Sequence, residues 1–330
     1  MKKKRILTVD DYFDGVRNRN VSMLARAFTL VESSSMRHIP VAEELLTRLM
    51  PYTGGGLRVG ITGAPGAGKS TFIEALGMLL TQTGLRVAVL TVDPSSGVTG
   101  GSILGDKTRM GNLAAEPNAF IRPSPSAGTL GGVANKTREI MLVAEAAGYD
   151  VILIETVGVG QSETMVCEMT DCFLALMLPG AGDELQGIKR GLLELVDVIA
   201  VNKADGPNLK PAELAAQQYH NALDSISGNH DSAPTILTCS ASEKTGIQDV
   251  WDAIHRRCEL NKRSGRFERR RQQQNLRWLW SIVEDRLRQT LHTHPAVQAI
   301  CDDVETRVLA GEMPPAAGAR QLFPALKLDT

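Results

Sequence analysis

The run Gly63-Ala64-Pro65-Gly66-Ala67-Gly68-Lys69-Ser70 constrains this chain more than any other feature. It fits the pattern G-x-x-x-x-G-K-[ST] and stands between a β-branched run, Val59-Gly60-Ile61-Thr62, and a stretch that reads as a helix over 70–83. Strand, glycine-rich turn and helix in that order form a phosphate loop. The glycines let successive backbone N–H groups turn inward without Cβ clashes, and the helix N-terminus adds partial positive charge. Lys69 is expected at the β- and γ-phosphates of a nucleotide, and the Ser70 hydroxyl on a Mg2+ ion. The expected nucleotide-binding set here is Gly63, Ala64, Pro65, Gly66, Ala67, Gly68, Lys69, Ser70 and Thr71.

The rest of the chain agrees with such a loop. From Leu57 onward, short and nearly continuous apolar runs occur at 57–62, 87–92, 151–154, 173–178, 198–201 and 235–239, as expected for strands covered on both faces. Helical stretches at 70–83, 136–147, 187–195, 211–225 and 247–258 alternate with them. The expected fold class is therefore α/β, a P-loop three-layer sandwich with a mostly parallel sheet and helical extensions at both ends. Ligands of such sheets sit beyond the carboxyl ends of the strands. Residues 8–50 read as helices, with Tyr12, Phe13 and Val16 on one face and Leu24, Phe28 and Val31 at helical spacing. Pro40 suits a first turn and Pro51 a stop, and Gly54-Gly55-Gly56 reads as a hinge. The expected domains are a helical extension over 1–53, a nucleotide domain over 54–258 and a helical docking or dimerisation arm over 259–330.

Composition excludes several classes. Hydrophobic residues make up 43% of the 330 and charged residues 22%, so the chain is neither disordered nor collagen-like. A formal net charge of −1 gives no global case for nucleic acid or an anionic membrane. That value conceals eleven Lys/Arg against four Asp/Glu between Arg256 and Arg288, where Leu276, Leu279, Val283 and Leu287 recur at helical spacing. This stretch reads as the solvated face of an amphipathic helix that needs an apolar partner; nucleic-acid binding is the lesser alternative. No apolar run approaches a membrane span. The basic start, Met1-Lys2-Lys3-Lys4-Arg5, lacks the apolar segment of a signal peptide, so a cytoplasmic protein is expected. Five cysteines without Cys-x-x-Cys indicate neither a disulfide framework nor a zinc knuckle. His292 and His294, beside Pro295, read as a turn.

Two further motifs concern the base. Asn202-Lys203-Ala204-Asp205 follows the run 198–201 directly. A carboxylate there accepts hydrogen bonds from N1–H and the 2-amino group of guanine, whereas adenine would present it with a lone pair. The Lys203 stem can lie along the base, and Asn202 can tie this loop to the phosphate loop. Ser240, Ala241 and Ser242 follow the next run, where a guanine O6 needs a backbone N–H. Between these motifs lie the expected metal and γ-phosphate elements: Asp93, an expected Mg2+ ligand, ends the second strand, and a glycine-rich stretch runs from Gly97 to Asp106. Glu155 ends another strand and opens Glu155-Thr156-Val157-Gly158. Glu155 suits a Mg2+ ligand and the Gly158 N–H can sense a γ-phosphate. Asp106 is open between metal ligand and helix cap. Gln161 is open between orienting water and bracing its loop.

With these residues assembled, the chain resembles the MeaB/ArgK family of P-loop GTPases. The matching stretches are Val-Asp-Pro-Ser-Ser at 92–96, Thr-Gly-Gly-Ser-Ile-Leu-Gly-Asp-Lys-Thr-Arg-Met at 99–110, and Glu-Thr-Val-Gly-Val-Gly-Gln-Ser-Glu at 155–163. Asp-Glu-Leu-Gln-Gly-Ile-Lys at 183–189 and Asn-Lys-Ala-Asp at 202–205 complete them. The resemblance implies a homodimeric GTPase that protects, loads and reactivates an adenosylcobalamin-dependent acyl-CoA mutase, usually methylmalonyl-CoA mutase. It implies a first switch over 93–109, including Arg109, and a second over 155–163. A further switch loop over 179–189 would have Asp183, Gln186 and Lys189 changing partners with nucleotide state. A cobalamin-binding Asp-x-His-x-x-Gly is absent from the sequence, so cobalamin is expected on the partner. The ArgK label keeps a kinase of a transport component as an alternative. A GTPase metallochaperone is another, although the Cys-rich or His-rich cargo tracts of that class are absent.

Overall fold

The computed structural model describes residues 7–92, 110–123, 130–156, 161–179, 190–226 and 233–325. In chain order the elements are α1 (Val9–Arg17), α2 (Val21–Glu32), α3 (Ile39–Leu49), β1 (Leu57–Gly63), α4 (Lys69–Gln82), β2 (Val87–Val92), α5 (Gly111–Ala115), β3 (Ala119–Pro123), α6 (Leu130–Ala146) and β4 (Val151–Thr156). They continue as α7 (Gln161–Cys167), β5 (Cys172–Met177), α8 (Arg190–Leu193), β6 (Val198–Val201), α9 (Leu209–Ile226), β7 (Thr235–Thr238), α10 (Ile247–Arg263), α11 (Arg266–Thr293), α12 (Pro295–Leu309) and α13 (Pro315–Ala325).

Seven strands form one sheet in the order β3-β2-β4-β1-β5-β6-β7, and every pairing is parallel. Alternation along each strand divides the core in two. Val59, Ile61, Val87, Val89, Leu153 and Leu174 face a cluster with Phe72, Leu76 and Leu80 of α4 and Val250 and Ile254 of α10. Ala88, Leu90, Ile152, Ile154, Phe173 and Ile199 face the other, with Ile140 and Val143 of α6, Tyr219 of α9 and the N-terminal helices. Both faces are covered, which is why the strands lack a polar stripe. β1 lies centrally between β4 and β5, so the loop that follows it opens onto a crevice at the carboxyl edge of the sheet.

Strand β3 has no counterpart among the apolar runs. Ala119-Phe120-Ile121-Arg122-Pro123 pairs only with β2, at the sheet edge, and Arg122 leaves it to bond Glu32 and Thr29 of α2. An edge strand with one polar face carries no continuous apolar signal. The N-terminal helices follow the sequence closely: Thr8 forms a capping box with Asp11, and Pro40 stands in the first turn of α3. Of the pair read as a turn, His292 lies instead in the last turn of α11, and His294 alone breaks the helical run before Pro295.

The chain divides into two compact units, Met1–Gln274 and Asn275–Thr330. The first contains the sheet, the three N-terminal helices and the start of α11. Gly54 and Gly56, read as part of a hinge, are pinned there. Arg271 donates to both their carbonyls at 2.7 Å, and to Asp171 Oδ1 and Oδ2 at 2.7 and 2.6 Å. Within the second unit, α12 packs on α13, with Gly318 set against Val304 and Val308. Four cysteines are buried, Cys301 is partly exposed, and all five are free. No described helix is long and apolar enough to cross a membrane.

Candidate functional site

The loop between β1 and α4 closes by two glycine conformations. Gly63 has φ 149°, and a Cβ there would lie 2.3 Å from the Leu176 carbonyl oxygen. Gly68 caps α4 in the left-handed region, φ 87°, and a Cβ would lie 2.7 Å from Asn202 Nδ2. Neither place admits a side chain without a shift, so these glycines are dictated by close approach as well as by φ. Lys69 opens α4 almost wholly buried and donates to Gly63 O at 2.7 Å and Ala64 O at 3.3 Å. Burial pushes its ammonium below the ordinary lysine range, and the charges of Glu155 and Glu163 partly restore it. A cation held at the mouth of a helix N-terminus is an anion receptor.

Ser70 Oγ donates to Glu155 Oε1 at 3.0 Å, so the first turn of α4 meets the end of β4. These are two hard oxygen donors side by side, a chemistry that suits Mg2+. Asp93 and Asp106, the other expected ligands, lie outside the described residues. Among the described residues, no group of three His, Cys, Asp or Glu converges as a closed metal cage. Such a partial set fits an ion that completes its shell with phosphate oxygens and water.

The base loop is built across β6 and β7. Asn202, buried after β6, donates from Nδ2 to Ala67 O at 2.8 Å and accepts at Oδ1 from Ala241 N at 3.0 Å. Lys203 adopts φ 61° and is exposed, turning the chain so that Ala204 N reaches Cys239 O at 3.0 Å. Asp205 then accepts from the Ser240 hydroxyl, and from Ser242 Oγ at 3.2 Å. Ser240 is itself fixed by Glu243 N at 3.1 Å and by a bridge to Thr245. Two hydroxyl donors on one carboxylate oxygen set the plane in which the carboxylate faces a base. Burial raises the Cys239 thiol to about 12, so it stays neutral beneath this loop. Along the flank of α4 runs a cleft of ≈ 400 Å³, lined by Thr71, Glu74 and Met78 of that helix, by Asn112 and by Ala241, Ser242 and Lys244.

The structure thus brings Gly63–Thr71, Glu155, Asn202, Lys203, Asp205 and Ser240–Ser242 to one edge of the sheet. Gly158, Arg109, Asp183, Gln186 and Lys189 lie outside the described residues. Gln161 is seen only as the first residue of α7. Three residues at this edge were not singled out in the sequence. Thr156 Oγ1 donates to Thr62 Oγ1 at 3.1 Å, and Thr62 Oγ1 donates to Glu163 Oε1 at 3.2 Å. The available signal was a threonine at the inner end of each of two apolar strands, and a glutamate closing the 155–163 run.

The family model described as "Methylmalonyl Co-A mutase-associated GTPase MeaB" matches residues 24–296. The chain belongs to the MeaB family of P-loop GTPases. Among its relatives, GTPase ArgK of Escherichia coli is 49% identical over 308 residues, 93% of each chain. The mitochondrial "Methylmalonic aciduria type A homolog" of Mus musculus is 41% identical over 333 residues, 97% of this chain and 80% of its own. A crystal structure described as "LAO/AO transport system kinase" superposes with TM-score 0.77 at 40% identity, covering 97% of this chain and 99% of its own. Membership makes this a nucleotide-binding P-loop GTPase fold.

Proposed function

We propose that this MeaB-family protein is a Mg2+-dependent, guanine-selective GTPase that protects, loads and reactivates an adenosylcobalamin-dependent acyl-CoA mutase. Methylmalonyl-CoA mutase is the intended partner, which the family's description names. The observation that carries the guanine half is Asp205, oriented by the Ser240 and Ser242 hydroxyls on a loop that Asn202 joins to the phosphate loop. Guanine satisfies that carboxylate with two N–H donors; adenine leaves it facing an acceptor.

In hydrolysis, a water oxygen forms a bond to the γ-phosphorus as the bond to the β-phosphate oxygen breaks, and negative charge grows on the phosphate oxygens. Lys69 leaves the Gly63 and Ala64 carbonyls for those oxygens, and the backbone N–H groups of 63–70 supply fixed donors that need no reorganisation. Ser70 and Glu155 hold Mg2+, which neutralises phosphate charge when bound. Gly158 and Gln161 belong to the segment that senses the γ-phosphate, with Asp93, Asp106 and Arg109 in the first switch. Asp183, Gln186 and Lys189 form the loop that answers to the partner. Cobalamin stays on the mutase. The protein works in the cytosol as a homodimer, for which the exposed Leu276, Leu279, Trp280 and Leu287 of α11 offer apolar area to a second copy.

Phosphate release from GTP, measured with and without the mutase, tests this reading. Acceleration by the mutase, together with slower mutase inactivation, is expected; neither effect would sink it. The kinase reading draws on the name of the superposed structure, and transfer of labelled γ-phosphate to a protein or small molecule would favour it.

A further inference from the structure

The seven-residue helix α7 is held at both ends by groups of different elements. In its first turn, Glu163 accepts from Thr62 Oγ1 at 3.2 Å, one residue before the phosphate loop, and its charge helps hold up the Lys69 ammonium against burial. At the other end, residues 266–274 of α11 grip the chain. Arg270 donates to Cys167 O at 3.4 Å, and Gln274, itself buried, donates from Nε2 to Thr170 O at 2.8 Å. Arg271 holds Asp171 by two bonds. Arg138 of α6 donates to Glu168 O at 3.0 Å and to Gln274 O at 3.4 Å, closing the set. The carbonyls at the end of α7 are thus met by side chains of α6 and α11. A helix of this length is a rigid rod of about 10 Å, so a displacement of Glu163 is felt at 167–171.

We propose that α7 links the phosphate loop to the root of α11, so that a γ-phosphate on the nucleotide and the seating of residues 266–274 oppose one another. This rests on the reading that the loop at 63–70 binds GTP and GDP. The sign follows from charge. The γ-phosphate brings negative charge to Lys69, the cation that Glu163 also attends, and like charges about one cation repel. GTP therefore disfavours the seat of Glu163 against β1 more than GDP does, and strains the grip on 167–171 at the far end of the helix. Linkage is reciprocal: whatever loosens the root of α11 must favour GTP over GDP by the same factor.

The test uses the full chain with Mg2+ present, and reads the ratio of affinities for GDP and a non-hydrolysable GTP analogue by competition against a fluorescent GDP analogue. Gln274→Met removes the bond to Thr170 O and keeps the side-chain volume. Arg270→Met releases Cys167 O, while Asp197 keeps Arg257 at 3.7 Å and Phe173 N at 3.0 Å, so the strand feet stay satisfied. Each variant is expected to shift the ratio toward the GTP analogue by about fivefold or more. A merely structural loss weakens both nucleotides alike and leaves the ratio where it was. In wild type, amide hydrogen exchange over 266–274 is expected to be faster with the GTP analogue than with GDP. Ratios within about twofold of wild type in both variants, a shift toward GDP, or exchange over 266–274 that is the same with either nucleotide overturns the linkage. A wild-type chain that binds neither nucleotide would instead overturn the reading of the phosphate loop, and the linkage with it.

Discussion

Asn202 Nδ2 donates to the Ala67 carbonyl at 2.8 Å, so the base loop and the phosphate loop are joined by one buried side-chain amide. The same amide accepts from Ala241 N, bringing the third loop into register. Asn202→Ala removes both bonds and leaves buried backbone groups unsatisfied, at a cost of about 1–3 kcal/mol for each group so stranded. We expect GDP and GTP affinity to fall together by about tenfold to a hundredfold, while far-ultraviolet circular dichroism stays that of the native protein. Gly68→Ala acts on the same contact from the other side, since its Cβ would sit 2.7 Å from Nδ2 at φ 87°. Calorimetric titration with GDP measures both.

The Ser70–Glu155 pair makes a different prediction. Its oxygens lie 3.0 Å apart at the start of α4 and the end of β4. Ser70→Ala and Glu155→Gln should raise the Mg2+ concentration that half-saturates GTP hydrolysis by about tenfold or more. GDP binding in the absence of Mg2+ should change little. A Mg2+ titration of phosphate release in each variant checks this.

Far from the nucleotide, the feet of the strands are held by charge. Asp171 is almost fully buried; it accepts from Arg58 N at 2.8 Å and from two nitrogens of Arg271. Arg271→Met strands that carboxylate and the Gly54 and Gly56 carbonyls, and should destabilise the protein by about 3–5 kcal/mol. Lys262→Met breaks an exposed pair with Glu259, 2.9 Å apart, and a cation–π contact with Phe267, and should destabilise the protein far less. Urea unfolding of the two variants separates the cases.

These contacts show what the sequence made legible. The phosphate loop, the alternation of strands and helices and the base loop could all be read, because each is local: a spacing, a period, or a motif at a strand end. Asn202 could be read as a tie between loops from its place at the head of the motif that directly follows the run 198–201. The edge strand β3 could not be read, since Ala119–Pro123 has one partner strand and no buried run. Nor could the Arg271–Asp171–Gly54 contact, which joins residues far apart in sequence and makes a pinned segment of an apparent glycine hinge. The hydrogen bonds of Thr62 to Thr156 and Glu163 escaped for the same reason: a buried threonine in a strand looks like any β-branched residue until its hydroxyl partners are known.

Alkaline pH should weaken the fold through its buried thiols. Burial raises Cys167 to about 11 and Cys239 to about 12, from 9.0 in the unfolded chain. Folded values above unfolded ones mean that the contribution is fully present below pH 9 and is lost as pH rises through about 11 and about 12. The urea midpoint should therefore fall above pH 9 less steeply in Cys239→Ala than in wild type. At pH 8, a thiol reagent should modify Cys301, the partly exposed cysteine, and spare the four buried ones until the protein is unfolded.

The most direct test of the account is nucleotide selectivity at Asp205. Competition against a fluorescent GDP analogue should show wild type preferring GDP to ADP by about a thousandfold or more, with Asp205→Asn losing that preference while keeping its fold. Wild type that binds ADP as well as GDP, or an Asp205→Asn variant that remains guanine-selective, would contradict it.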